Sequence, residues 1–250
     1  MPPRPRSRAL FAAAWRVPGV RRLRLGGVAP DLPERAGGVS GVTVLRPLFW
    51  IDLERTRQAG DPLAHLSANS RSQMRRALRA FGGEAARLEP APGPKALDAF
   101  IAAHQAWWQA RGKPGAFARP FMRRFHADLL ARGEASGEVA LRVLRAPDGR
   151  AAAWLHLLRR GGHVAAYQSA VACDADLLRL KPGLVAHLLA IAEAAAEGRA
   201  RYDLLAGEAR YKRSLATDEA SLVWTERLRP GSLDHLADRL VRFGRRVLGR

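Results

Sequence analysis

The chain has 250 residues, of which 48% are hydrophobic and 26% charged, a globular balance that excludes a wholly disordered protein. Its 42 Lys and Arg against 23 Asp and Glu give a formal net charge of +19, which favours polyanionic partners: nucleic acid, an anionic membrane surface or a phosphorylated cofactor. No run of about 18 apolar residues predicts a transmembrane helix, and a single cysteine excludes an internal disulfide or a cysteine-clustered zinc site.

The first 41 residues are strongly basic. Residues 1–30 contain seven arginines and no acidic residue, and the first acid is Asp31. We predict that residues 1–41 form a poorly ordered basic arm or the remnant of a missing lobe. An organellar transit peptide has a similar Arg-rich, acid-poor composition.

Two elements are predicted before residue 82. The segment Val42–Leu53 is rich in β-branched and aromatic residues and predicts a strand, with an edge position near Pro47. Ser70 and Gln73 have the spacing of a capping box, so a helix is predicted to start there and to run to Phe81. The arginines on one face of this helix either are solvated or contact phosphate; they are Arg71, Arg75 and Arg79.

Two helices and three strands are predicted in the middle of the chain. Apolar residues at helical spacing indicate helices over 94–111 and 119–132, and we predict that Trp107 and Trp108 pack in the core. The pattern then changes to a period of two, which predicts an antiparallel meander with Gly- and Pro-containing turns. Its strands are Glu138–Arg145, Arg150–Arg159 and His163–Ala170.

The last third of the chain alternates between helix and strand. The predicted elements are a helix over Leu184–Glu197, a buried strand over Arg201–Leu205, a turn over Gly207–Lys212 and a strand over Leu222–Arg229. Strands that alternate with helices indicate a mixed sheet covered by helices, in the α/β or α+β class.

Residues 231–250 are predicted to form a basic amphipathic helix. Its apolar stripe repeats at 3-4 spacing and consists of Leu233, Leu236, Leu240, Phe243 and Val247. After Asp238 the helix carries arginines and no acid. The stripe packs against the domain or a second subunit, which would give a homodimer, or it lies on an anionic bilayer.

A candidate anion-binding segment precedes the helix 184–197. Pro182 suits a first helical turn, where its missing N–H would have no partner. Gly183 allows a ligand to approach the backbone, and the N–H groups and positive dipole end of a helix start attract phosphate. Lys181 adds a positive charge. The segment predicts either a phosphate site or an ordinary helix start.

A second candidate cluster follows the strand 201–205, at the edge where ligand sites of α/β sheets form. Glu208 can act as a general base toward an amine, and Tyr211 can give a proton to a leaving group. The alternative is an exposed turn held by salt bridges. The sequence lacks the P-loop, dinucleotide-binding, zincin and nucleophile-elbow motifs, and its seven histidines lack metal-ligand spacing, so no metal is expected.

Three segments together resemble the GNAT acyltransferases of the CelD-type branch, which are relatives of the Fem aminoacyltransferases. They read LSANSRSQMRRALR from Leu66, KPGLVAHLLAIAEAAAEG from Lys181 and YDLLAGEARYKRSLAT from Tyr202. The ordered pair of the KPG helix and YD-x-x-x-G-E-x-R-Y-K is the most specific part. The resemblance implies a GNAT-like mixed, splayed sheet with helices on both faces, over residues 42–230.

The resemblance also implies a donor and roles for site residues. Acetyl-CoA or another acyl-CoA is expected at the splay, with its pyrophosphate over the helix start and its pantetheine along the strand 163–170. The donor-binding residues are expected to be Ser169, Lys181, Gly183 and Leu184. Glu208 is the expected base and Tyr211 the expected acid, while Arg210 and Lys212 orient an anionic group of the donor or acceptor.

Three functions remain open at this stage. The first is acyl transfer from acyl-CoA to an unknown amine, in the cytoplasm or peripherally on the inner face of the membrane. The second is a Fem-like transferase that uses aminoacyl-tRNA, which a basic surface suits because RNA binding releases counterions. The third is a non-catalytic GNAT lobe that binds a partner or membrane in an envelope or exopolysaccharide pathway.

Overall fold

The computed structural model describes residues 4–247, without the side chains of residues 4–6, 242 and 244–247. The chain divides into two compact units. The larger unit comprises Phe49–Leu205 and Ala209–Asp218, and the smaller unit comprises Met1–Leu48, Ala206–Glu208 and Glu219–Arg250. This division differs from the predicted domain at 42–230, because residues 39–48 of one strand and residues 219–228 of the last strand group with the terminal regions.

In chain order the helices and strands are α1 (Arg4–Arg16), β1 (Arg22–Val28), α2 (Leu32–Arg35), β2 (Val39–Asp52), α3 (Leu53–Ala59), α4 (Ala68–Ala80), β3 (Leu88–Pro90), α5 (Gly93–Gln109), α6 (Pro120–Gly133), β4 (Val139–Arg145), β5 (Ala151–Arg160), β6 (His163–Val171), α7 (Ala175–Arg179), α8 (Pro182–Ala196), β7 (Arg201–Ala206), α9 (Arg210–Leu215), β8 (Asp218–Leu228) and α10 (Leu233–Val247).

The smaller unit gives regular structure to much of the predicted basic arm. Strand β1 pairs antiparallel with β8, and the arginines of β1 form ion pairs with Glu226 at 3.0 Å from Arg22 and 2.9 Å from Arg24. Helix α1 is tied to the same unit by the Trp15 indole N–H, which donates to the Ala36 carbonyl at 2.6 Å. Residues 4–28 therefore form a helix and a strand, whereas Met1 to Pro3 lie outside the described residues.

The larger unit contains the strands β7-β6-β5-β4-β3 in that spatial order. As predicted, β4, β5 and β6 form an antiparallel meander, and β6 then pairs parallel with β7. The register between β5 and β6 shifts by one residue, because His156 is opposite Gln168 whereas Leu157 is opposite Ala166. Tyr167 is the extra residue of this bulge.

Strand β5 separates two hydrophobic cores because its alternate side chains point to opposite faces of the sheet. Ala153, Leu155 and Leu157 belong to the core covered by α4 and α8, whereas Trp154 belongs to the core covered by α5 and α6. Helices therefore cover both faces of the mixed sheet, as the GNAT-like fold requires.

Helix α4 starts earlier than the sequence predicts. The N-cap is Ser67, whose hydroxyl accepts a hydrogen bond from the Ser70 N–H at 3.2 Å, and the helix begins at Ala68. Gln73 takes no part in a capping box, because its amide donates to Asn69 Oδ1 at 3.3 Å. Ser67, and not Ser70, caps the helix because its hydroxyl lies within hydrogen-bond distance of an N–H of the first turn.

The arginine face of α4 has partners within the chain. Arg71 donates to the carbonyls of Ala64 and Leu66, and Arg75 forms an ion pair with Asp61 at 2.9 Å. Phosphate binding by this face stays a prediction, and two of its three arginines are already engaged. A second local difference is α9, a short helix where the sequence predicts a turn.

Candidate active site

The sheet opens between the parallel strands β6 and β7. Their pairing covers only three positions, from His163 opposite Arg201 to Ala165 opposite Asp203. Strand β6 continues to Val171 without β7 as a partner. This splay leaves the C-terminal half of β6 with backbone N–H and C=O groups available on one side.

A cavity of about 350 Å³ lies at the open end of β6. It is lined by Trp107, Ser169, Ala170, Val171, Leu178, Lys181, Pro182, Gly183, Leu184, His187 and Tyr211. Most of this lining is apolar, and its polar groups come from the end of β6, the start of α8 and α9. Small-molecule sites have this combination of apolar walls and a few convergent polar groups.

The start of α8 leaves the Gly183 N–H available, because Pro182 has no N–H and the N–H groups of Leu184 and Val185 donate to the Lys181 carbonyl. Lys181 adopts a left-handed backbone conformation with φ of 57°, and no side chain caps the helix start. Pro182 occupies the first turn, as the sequence predicts. A Cβ added to Gly183 would lie 3.1 Å from Val171 Cγ1, so glycine permits the close approach of α8 to the end of β6. The Lys181 Nζ donates to Gln73 Oε1 at 2.8 Å.

Tyr211 lines the cavity together with Ser169 and His187. Burial raises the pKa of the Tyr211 phenol above its ordinary value, and the Ser169 hydroxyl opposes this shift. The phenol therefore remains protonated at neutral pH, which is the form that a proton donor needs. The Tyr211 ring stacks on His187, with 5.2 Å between ring centroids.

His187 is buried and neutral at physiological pH. Burial lowers the pKa of His187 to about 4, and the nearby charge of Lys212 lowers it further in the same direction. The His187 Nδ1 and the Tyr202 hydroxyl are 2.9 Å apart. This bond fixes the imidazole, so its stacked ring holds Tyr211 in place.

The structure brings five of the eight predicted site residues together and leaves three away from the cavity lining. Ser169, Lys181, Gly183, Leu184 and Tyr211 line it. Glu208 and Arg210 are exposed, with Glu208 in the smaller unit and Arg210 in the larger.

Lys212 points back to the chain, where its Nζ donates to the Leu205 carbonyl at 3.4 Å. Burial lowers the pKa of Lys212, and the charge of Asp203 opposes this shift. Leu205 is the only described non-glycine residue besides Lys181 with a positive φ, at 61°. Lys212 is therefore arranged to hold the end of β7, and its predicted contact with substrate stays a prediction.

Two cavity residues escaped the sequence analysis. Trp107 was predicted to pack in the core, but it is half-buried and lines the cavity. His187 was not singled out, although it is the one imidazole in the apolar helix α8 and follows Leu184 by three residues, on the same helix face. The presence of this histidine three residues after Leu184 was the feature of the sequence that could have identified it as a cavity residue.

No group of three or more His, Cys, Asp or Glu side chains in the described part of the chain is arranged to hold a metal ion. Within residues 4–247, no helix combines the length and the apolar content needed to cross a bilayer.

Comparison with known proteins identifies a domain family. A family model described as "Acetyltransferase (GNAT) domain" matches residues 68–213, a segment that contains α4 through most of α9 and the whole cavity lining. No curated protein sequence matches this chain.

Solved structures share the fold at low sequence identity. The C-terminal domain (DUF2156) of a putative lysylphosphatidylglycerol synthetase from Agrobacterium fabrum has a TM-score of 0.61 and 16% identity, over 93% of this chain and 76% of that one. FemX has a TM-score of 0.57 and 9% identity, over 77% and 64%. L-PGS from Bacillus licheniformis has a TM-score of 0.51 and 11% identity, over 81% and 66%. The chain thus spans between about two thirds and three quarters of these structures.

Proposed function

Because the chain belongs to the Acetyltransferase (GNAT) domain family, we propose that it transfers an acyl group from an acyl-CoA to an amine acceptor. The observation that carries the proposal is the splay. Strand β6 loses β7 as a partner after Ala165, and the apolar cavity lies at the free end of β6 beside the uncapped start of α8. The free strand edge suits the amides of pantetheine, and the helix start suits a pyrophosphate.

The residues present fit this donor. A Cβ at position 183 would crowd Val171 Cγ1 at 3.1 Å, so glycine suits the start of α8 where the pyrophosphate is proposed to bind. Lys181 and the Gly183 N–H bind the pyrophosphate, because a positive charge and free backbone donors both stabilise an anion. Ser169 and Leu184 contact the donor inside the cavity. The apolar walls exclude water from the thioester.

The proposed reaction needs one base and one acid. The acyl-CoA supplies a thioester carbonyl carbon, which the acceptor amine attacks to form a C–N bond while the C–S bond breaks. Glu208 accepts a proton from the amine, directly or through water. Tyr211, kept protonated by burial, gives its proton to the leaving thiolate.

The test of this proposal is acyl-CoA binding measured by calorimetry. Acetyl-CoA should bind and raise the melting temperature, because a ligand that binds only the folded state stabilises it. Lys181→Glu should abolish both effects by placing a negative charge at the pyrophosphate. Lys95→Glu makes the same charge change at an exposed residue of α5 outside the cavity, so it should leave binding unchanged. Absence of binding to the wild type at millimolar acetyl-CoA would contradict the proposal.

A Fem-like transfer from aminoacyl-tRNA is the second candidate. It is favoured by the net charge of +19 and by the fold shared with FemX and with the putative lysylphosphatidylglycerol synthetase domain. A gel shift with tRNA that weakens steeply with salt, without any acetyl-CoA binding, would select it. Binding of neither donor would select a non-catalytic lobe that binds a partner or a membrane. Membership of the CelD-type branch rests on the sequence motifs and stays part of the proposal.

We also propose that the protein acts in the cytoplasm, peripherally on the inner face of the membrane. The support is helix α10, whose stripe side chains Leu233, Leu236, Leu240 and Phe243 are all exposed. Exposure of these side chains favours an occupant from outside the chain. A second copy of the chain and an anionic bilayer remain as occupants, and the arginines after Asp238 favour the bilayer.

A further inference from the structure

A second, polar cavity of about 330 Å³ lies beside the apolar cavity at the open end of β6, and the two cavities share Lys181. Its walls are Asn69, Gln73, Arg76, Ala77 and Ala80 of α4 together with Arg179, Leu180 and Lys181 of the segment before α8. Three of these side chains are cationic, two are amides and none is a carboxylate. Where the first cavity has apolar walls, this one has the composition of an anion site.

The three cations of the polar cavity have no acidic partner among the described residues. This sets Arg76 apart from its neighbour Arg75 on α4, which is paired with Asp61 at 2.9 Å. Three like charges around one cavity repel each other, and a bound anion would remove that repulsion. The two amide side chains link these groups by hydrogen bonds. Asn69 Oδ1 accepts from the Gln73 amide, and Gln73 Oε1 accepts from Lys181 Nζ at 2.8 Å.

The lysine that the two cavities share indicates which part of a bound acyl-CoA each cavity would hold. With the acyl group in the apolar cavity and the pyrophosphate at Lys181, the part of an acyl-CoA beyond the pyrophosphate is its 3′-phosphorylated adenosine. That part carries two further negative charges and is the polar end of the molecule. The polar cavity is the adjoining space with matching charge.

We propose that this polar cavity binds the 3′-phosphoadenosine end of the donor, with Arg76 and Arg179 as the cations that recognise the 3′-phosphate. The inference rests on the proposed acyl-CoA function and adds the residues that select a phosphorylated nucleotide. Arg76 is the informative residue, because it comes from α4, to which the resemblance assigns no role in binding the donor, and not from the segment around Lys181.

The experiment compares CoA with 3′-dephospho-CoA by calorimetry at low salt. The wild type should bind CoA at least about tenfold more tightly, because a charge-assisted hydrogen bond to phosphate is among the stronger ones. Arg76→Gln should weaken the binding of CoA and leave the affinity for dephospho-CoA unchanged, and the double variant Arg76→Gln with Arg179→Gln should bind the two ligands equally. Arg79→Gln, which removes the same charge from α4 outside the cavity, should keep the full preference.

Two outcomes separate this inference from the proposed function. If CoA binds but Arg76→Gln weakens CoA and dephospho-CoA equally, or weakens neither, the assignment of the 3′-phosphate to this cavity is overturned and the donor proposal stands. Adenosine 3′,5′-bisphosphate, which lacks the acyl arm, tests the polar cavity alone. Its Arg76-dependent binding in the absence of CoA binding would support the polar site and contradict the acyl-CoA proposal, and binding of neither probe would contradict both.

Discussion

The two compact units differ in how completely they bury their apolar side chains. Among the described residues, ten of the twelve exposed large apolar side chains belong to the smaller unit. They are Leu10, Val17, Val42, Val44, Leu45, Leu233, Leu236, Leu240, Val241 and Phe243. The larger unit exposes only Phe121 and Phe125, which stack on each other at 6.2 Å between centroids.

This difference separates two kinds of surface. The larger unit has two closed cores and concentrates its accessible apolar area inside a cavity, as a catalytic domain does. The smaller unit carries apolar side chains outside, on β2 and along α10. Contiguous exposed apolar surface of this kind marks an interaction site for a membrane or another protein. The comparison therefore places the cavity and most of the proposed site residues in the larger unit, with Glu208 as the exception, and the exposed apolar side chains in the smaller one.

The largest effect is expected at Glu208, the one predicted catalytic residue that belongs to the smaller unit. Glu208→Gln should lower kcat/KM by about 100-fold, because a general base contributes about that much or more. Its affinity for CoA should stay the same. The measurement is thiol release from acetyl-CoA with a panel of primary amines, and Glu84→Gln, an exposed residue of the larger unit, is the control. Near-normal turnover would return all the chemistry to the larger unit.

The next effect concerns stability in acid. The described buried histidines all lie in the larger unit, and burial lowers the pKa of each; they are His104, His126, His156 and His187. For His156 the folded pKa is about 4, against an ordinary value of 6.5. Between these values the unfolded chain binds a proton that the folded chain does not. The free energy of unfolding therefore falls as the pH drops from about 6.5 toward 4.

His156→Phe should remove about 2 kcal/mol of the stability lost between pH 7 and pH 5, since each unit of pKa difference is worth about 1.4 kcal/mol. Both ring nitrogens of His156 lack a hydrogen-bond partner, so a phenyl ring in the same aromatic cluster leaves no group unsatisfied. Urea unfolding at the two pH values measures the difference. An unchanged loss in His156→Phe would show that the acid sensitivity lies elsewhere.

The smallest effect is expected on vesicle binding when the exposed leucines of α10 are replaced. Leu236 is 47% and Leu240 72% exposed, so Leu236→Ser with Leu240→Ser should leave the melting temperature unchanged. The double variant should bind anionic vesicles about tenfold more weakly, because each leucine loses part of the roughly 2 kcal/mol that its burial in lipid provides. Leu10→Ser, an exposed leucine of α1, is the control in a vesicle sedimentation assay.

Three results distinguish the occupants of the α10 stripe. Binding to anionic but not neutral vesicles, weakened by salt, supports the membrane. Loss of a dimer on sizing columns in the double variant would assign the stripe to a second copy. A lower melting temperature with unchanged sedimentation would instead mean that the stripe stabilises the fold. Some residues of the predicted basic amphipathic helix have side chains outside the described part of the structure. They are Arg242, Arg245, Arg246, Val247 and Arg250.

The sequence predicted the larger unit well where periodicity and turn residues agree. The meander was found because glycine-containing turns separate its three strands, and Pro182 at the first turn located the start of α8. The start of α4 was misplaced because Ser67 and Ser70 both have capping chemistry. Strand β1, with alternating Arg and Leu, was missed because its arginines find Glu226 only through long-range pairing.

The candidate site likewise contains residues that the sequence predicted and residues that only the structure shows. Ser169, Lys181, Gly183, Leu184 and Tyr211 were selected from family motifs and a helix start, and the fold gathers them around one cavity. Trp107 and His187 reach the same cavity from α5 and α8, and only tertiary packing brings them there. Arg76 was not selected, because the helical period of α4 places Arg71, Arg75 and Arg79 on one face and gives no sign that the neighbouring face lines a cavity.

A crystal structure of the protein soaked with CoA tests the central claim most directly. We expect the pyrophosphate within hydrogen-bond reach of Lys181 and the Gly183 N–H. The pantetheine should pair with β6 after Ala165, and the sulfur should lie inside the cavity within reach of the Tyr211 hydroxyl. CoA bound away from the splay, or density absent from the cavity at millimolar CoA, would contradict the account.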